Sequence, residues 1–168
     1  KRCESTVRKM MEEKQALLYA ENLKKNILNK LRKHGKKAKE LINICAAVEC
    51  IHSYSLIHDD LPCMDNDPIR RGKPSTHIKY GEASAVLAGS SLLTLAFEII
   101  TEKKYLVNSK IKNELVRYLA ICSGHTGIAE GQELDLKFEK KKKKINQIID
   151  MQKKKTGKLF NFCLYAAA

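Results

Sequence analysis

Apolar residues fall at helical spacing along nearly the whole chain. Leu17, Leu18, Leu23, Ile27, Leu28 and Leu31 mark one face of a segment from about Val7 to Lys33, which Ser5 or Thr6 can cap and which carries Glu12 and Glu13 early. Gly35 breaks it. A second helix from about Ala38 carries Leu41, Ile42, Ile44, Cys45, Val48, Ile51, Leu56 and Ile57, apolar nearly all round, which predicts a central position. Pro62 ends or bends it. A loop over 61–79 leads to a third helix from about Glu82 to Glu102, whose Ala83, Ala85, Ala88, Gly89 and Ser91 are small and permit close packing. A fourth runs from Ser109 to about Ala129 and ends near Gly127 and Gly131. The run Lys140 to Lys144 reads as a loop before a last helix from about Ile145. No alternating strand pattern of useful length and no internal repeat occurs. The expected fold class is all-α, with mostly antiparallel neighbours because the connections are short.

Composition narrows this picture. The 168 residues suit a single domain, 1–168, and a hydrophobic content of 43% is too high for a disordered chain. The longest uncharged stretch, Ala83 to Phe97, is 15 residues, short of the roughly 18 that suggest a membrane span, so a buried helix is expected there. The chain begins Lys1-Arg2-Cys3, without Met and without an apolar leader, as a fragment would. The net charge of +13 comes mainly from 26 lysines against 6 arginines, and the lysine runs have few aromatic neighbours to stack on bases. A solvated basic surface is favoured over nucleic-acid binding. The six cysteines, Cys3, Cys45, Cys50, Cys63, Cys122 and Cys163, include no C-x-x-C pair and sit mostly in apolar helical stretches, as reduced cytoplasmic thiols do.

Against that basic background, Leu56 to His77 gathers Asp59, Asp60, Asp65 and Asp67 directly ahead of Arg70, Arg71 and Lys73. Two carboxylates about 4 Å apart repel by roughly 1 kcal/mol in water and about 4 kcal/mol at an effective dielectric of 20, so something cationic should offset them. The bland explanation is mutual neutralisation in a solvated loop. The alternative is a magnesium-bridged diphosphate site: hard carboxylate oxygens for the ion, arginine and lysine for phosphate. Asp59 and Asp65 are six apart and do not share a helix face, so the intervening residues must bulge, which Pro62 permits.

The stretch Ala46 to Gly89, with "HDDLPCMDNDPIRRGKP" at its centre, resembles the first aspartate-rich region of the trans-isoprenyl diphosphate synthases. "GQELDL", Gly131 to Leu136, is similar to the family's GQ-x-x-D segment and "KTGKLF", Lys155 to Phe160, to its KTG segment, in the right order. The likeness runs from about Gly35 to the end. It implies an all-α antiparallel bundle around a central apolar cavity, here incomplete, and condensation of an allylic diphosphate, dimethylallyl or geranyl, with isopentenyl diphosphate. Under it Asp59, Asp60 and Asp65 hold Mg2+, with Asp135 a second-layer candidate. Arg70, Lys155 and Thr156 serve the allylic diphosphate, Arg71 and His52 serve isopentenyl diphosphate, and Gln132 and Asp135 line the place where positive charge develops. Tyr54, five residues before Asp59, and Ser55 beside it match positions that limit product length, favouring farnesyl over geranylgeranyl diphosphate. A cytoplasmic homodimer is implied, without a membrane span.

The match also has departures. The family's N-terminal GGKRLRP, which binds isopentenyl diphosphate, is represented by "HGKKAKE", where Lys36 and Lys39 replace arginine forks with point charges. Little chain separates it from Ala46, and no second aspartate-rich region follows. These departures lead to the expectation of a shortened synthase, inactive or weakly active alone. Two rival readings are a non-catalytic subunit or degenerate remnant of such an enzyme, and a basic helical nucleic-acid binder. Terpene cyclases share an aspartate-rich site but lack a counterpart for Arg71 and the KTG segment.

Overall fold

A computed structural model describes residues 36–102, 108–139 and 142–167. The helix expected from Val7 to Lys33, with its Ser5 or Thr6 cap, lies outside them. Contacts divide the chain after Ala96 into two compact units.

In the first unit, α1 spans Lys36–Asp59. Ile42, Ala46 and Cys50 recur every four residues, as do Ala47 and Ile51, and all five are buried. Cys45, on the opposite side of the helix, is exposed. The helix stops before Pro62, where the chain turns back and the Leu61 amide donates to the His58 carbonyl. The stretch expected as one long loop contains three small elements: β1, Ile69–Arg70, β2, Lys73–Pro74, and α2, Thr76–Tyr80. Two-residue strands are too short to leave a period in the sequence. Arg70 pairs with Lys73 across the hairpin, and the residues between them, Arg71 and Gly72, have φ of 54° and 75°. Positive φ at both central positions is what a tight two-residue hairpin turn demands.

Helix α3 spans Glu82–Thr101 and corrects one expectation. Counting uncharged residues made it too short for a membrane span. The helix continues past Glu98 through Ile99 and Ile100, and by length and composition it is apolar enough to cross a bilayer. It is also less buried than expected: an 18-residue window of mean hydropathy 1.7 is only 28% buried. Ala85, Ala96, Ile99 and Ile100 are buried, whereas Val86 and Leu87 are exposed.

In the second unit, the expected fourth helix is two: α4, Ser109–Ser123, and α5, Ile128–Phe138. Asn108 caps α4 by accepting from the Ile111 amide at 2.9 Å. The break falls at 124–127 because the backbone folds onto itself there; a Cβ on Gly127 would lie 1.9 Å from the Cys122 carbonyl oxygen. Gly131 lies inside α5 rather than at a helix end. The last expected helix is continuous in path but changes winding: α6, Ile145–Gln152, passes through a π-helical segment, Lys153–Gly157, into α7, Lys158–Ala167. Helix α7 packs on α4, and α5 packs on the π segment. Phe162 of α7 is fully buried with Tyr118 of α4 beside it at 6.2 Å between ring centres.

Phe162→Ala should therefore cost about 3–5 kcal/mol through lost burial and a residual cavity. In urea titrations, Leu164→Ala, at a position 71% exposed, should stay within about 0.5 kcal/mol of the parent.

Candidate active site

The first unit brings the acidic and basic clusters into contact. The Asp65 amide donates to the Asp59 carbonyl at 2.9 Å, and the amides of Met64 and Asn66 donate to Leu61. This closes the bulge that the six-residue spacing required and returns Asp65 to the end of α1. Asp60 points inward, 2% exposed, and accepts from Arg70 Nε at 3.0 Å through one oxygen and 3.3 Å through the other, with Arg70 Nη2 also bound to it. That hydrogen bonding holds the guanidinium above its already high ordinary pKa, opposed by partial burial and reinforced by the charges of Asp60, Asp67 and Asp59. Arg70 keeps a third of its side chain exposed.

Arg71, at the hairpin tip, turns the other way. Its Nη2 lies 3.3 Å from His52 Nε2 on α1. A guanidinium only donates, so His52 Nε2 accepts and its proton sits on Nδ1. A left-handed arginine costs about 1–2 kcal/mol, and such strain concentrates at functional sites. Two residues further along α1, Tyr54 is half-buried; burial raises its phenol pKa, and the charge of Asp59 raises it further. Ser55 donates to the His52 carbonyl at 2.9 Å. Lys36 and Lys39 lie at the start of α1, and their side chains fall outside the described residues.

The second unit joins the GQELD and KKKTG stretches. Lys155 Nζ donates to Asp135 Oδ2 at 2.7 Å. Lys154 Nζ bonds Glu130 at 2.7 Å and Asp150 at 3.1 Å, and these two hydrogen bonds hold its ammonium above the usual pKa. Between the two lysines' partners sits Gly131, where a Cβ would be 2.2 Å from the Lys155 amide nitrogen. Gln132 is buried next to it and Thr156 is exposed. Two of the sequence candidates, Asp135 and Lys155, are thus in contact, whereas the pairing of Lys154 with Glu130 and Asp150 was not anticipated, because those charges looked like surface background. A glycine within an otherwise helical stretch was the available signal for the close approach.

Magnesium can be tested against the donor set. Asp59 is half-buried and Asp65 exposed, both hard oxygen donors at one closed loop. Asp60 is bound by Arg70, and among the described residues no three His, Cys, Asp or Glu side chains converge as metal ligands. One or two carboxylates, with water and substrate phosphate completing the shell, is how magnesium is ordinarily held, so the residues fit.

Residues 9–168 match the family model described as polyprenyl synthetase, a longer match than the resemblance from Gly35 onward. The chain belongs to that family. A farnesyl diphosphate synthase of Bacillus subtilis is 43% identical over 143 residues, 84% of this chain and 48% of that protein. A geranylgeranyl diphosphate synthase of Methanosarcina mazei is 42% identical over 139 residues, 80% of this chain and 38% of that protein. The crystal structure of a geranyltransferase from Helicobacter pylori, complexed with magnesium and isoprenyl diphosphate, is similar with a TM-score of 0.73 at 40% identity, covering 79% of this chain and 45% of that one. The all-α isoprenoid synthase fold is thereby established for this polyprenyl synthetase chain, which spans about half the length of the curated relatives it matches.

Arg70→Ala should destabilise by about 3–5 kcal/mol, because it strands the buried Asp60 carboxylate. Adding Asp60→Ala should recover part of that loss in urea unfolding.

Proposed function

We propose that this chain is a trans-prenyltransferase that joins an allylic diphosphate, dimethylallyl or geranyl, to isopentenyl diphosphate, with farnesyl diphosphate as the main product. The observation that carries this reading is the closed Asp59–Asp65 loop with Arg70 locked on Asp60, in a chain 43% identical to a farnesyl diphosphate synthase. Arg70 of the first unit and Lys155 and Thr156 of the second are each assigned to the allylic diphosphate; the positive charge of Arg70 and Lys155 is complementary to the leaving group, so the allylic C–O bond breaks with its electron pair on the diphosphate. Asp59, Asp60 and Asp65 would hold magnesium, which would supply further neutralisation of that leaving charge. Asp60 keeps Arg70 aimed. Arg71 and His52, with Lys36 and Lys39, bind isopentenyl diphosphate; its double bond forms the new C–C bond and a proton leaves to the released diphosphate. Gln132 and Asp135 face the developing positive charge, and the apolar helices exclude the water that would quench it. Tyr54 and Ser55 limit product length. Both units are read as parts of one partial synthase domain.

With magnesium, isopentenyl diphosphate and geranyl diphosphate, the shortened chain is expected to turn over slowly at most, and its product to have fifteen carbons, measured by chromatography of the dephosphorylated alcohol. Asp59→Ala should lower kcat by about 10²–10³-fold; full activity in that variant would refute the site.

Val86 and Leu87 of α3 are exposed, and we infer from the family resemblance that a second copy covers them, in a cytoplasmic homodimer. Light scattering without detergent should give twice the 19.1 kDa chain mass, and Leu87→Glu should shift it to the monomer. A protein soluble only in detergent would support the membrane alternative.

A further inference from the structure

His58 stands between the two product-length residues and the first aspartates, and neither the diphosphate site nor the magnesium site uses it. Its Nε2 lies 3.1 Å from the Val86 carbonyl oxygen on α3. A carbonyl only accepts, so Nε2 carries the proton and donates. The imidazole occupies space that exists because residue 89 is glycine: a Cβ there would lie 2.2 Å from His58 Nε2 and 2.4 Å from Cδ2. On its other side the same ring meets Tyr54 edge to face, at 5.4 Å between centres and 86° between planes. Tyr54 and His58 are four apart on α1, and Val86 and Gly89 three apart on α3, so each pair lies on one helix face. One imidazole therefore bolts α1 to α3 and braces the Tyr54 ring.

We propose that His58, seated on Gly89, is a positioning residue that sets product length by fixing the Tyr54 ring. The proposal rests on the prenyl-transfer reading and on Tyr54 limiting chain growth. A ring held by one neighbour at its edge and by a hydrogen-bonded anchor behind it cannot swing aside to admit another five-carbon unit. Without the anchor it can.

Gly89→Ala is the informative variant. The added methyl meets the far end of a side chain rather than backbone, so the imidazole is displaced while the helix gains a better helix former. With geranyl and isopentenyl diphosphates, Gly89→Ala and His58→Ala should each raise the ratio of twenty-carbon to fifteen-carbon product about tenfold, the scale on which hydrophobic pockets discriminate. Overall turnover should change far less. Because both act through one ring, the double variant should match either single one instead of adding to it. In 15N-labelled protein, the His58 Nε2 proton should be visible in the parent chain and absent in Gly89→Ala.

If Tyr54→Ala lengthens the product and neither Gly89→Ala nor His58→Ala does, the proposal is overturned while the prenyl-transfer reading stands. Additive effects in the double variant, or an unchanged Nε2 proton in Gly89→Ala, also overturn it. Absence of any condensation by the parent chain overturns the functional reading itself, whatever the magnetic resonance result.

Discussion

A carboxylate buried at the end of a helix has to be given a cation, and the Asp60–Arg70 pair is how this chain meets that demand. Asp60 is almost inaccessible, and an ionised carboxylate there without a partner would cost several kcal/mol. Arg70 supplies a planar fork, which a lysine could not reproduce. The consequence is positional. Arg70 can reach Asp60 only if the chain returns after Pro62, and the tight hairpin makes that return, placing Arg71 at its tip and against His52. The closed loop, the left-handed arginine and the pairing of basic cluster with α1 all follow from that one buried charge.

The two explanations for adjacent charge clusters are therefore not exclusive. Mutual neutralisation accounts for Asp60 and Arg70, and the same carboxylate cluster, Asp59, Asp60 and Asp65, is the set proposed for magnesium. The second unit repeats the principle with a different geometry. The π-helical segment and Gly131 let two backbones touch, and Glu130, Asp135 and Asp150 then hold Lys154 and Lys155 in place.

Much of the site was legible in the residues. The spacing of Asp59 and Asp65 required a bulge, and Pro62 was there to permit it. Within the second unit, the GQELD and KTG motifs meet through Asp135 and Lys155. Other features were silent for physical reasons. A two-residue strand has no period, a π turn has the same composition as an α turn, and the charges of Glu130 and Asp150 resemble any solvated residue until a partner is known. The exposure of α3 was misjudged because apolar composition records what a helix can bury, not what covers it.

The sequence by itself determined the all-α class, the helical character of most of the chain from Ala38 onward and the acidic and basic chemistry of the Leu56–His77 stretch, because hydrophobic period and residue type are local properties. Only the tertiary structure decided that Asp60 belongs to Arg70, that His58 fills the space above Gly89, and that Lys154 and Lys155 divide their charge among three carboxylates on two helices. Those are pairings between residues 10 to 31 positions apart for the most part, and which donor meets which acceptor depends on where the backbone returns.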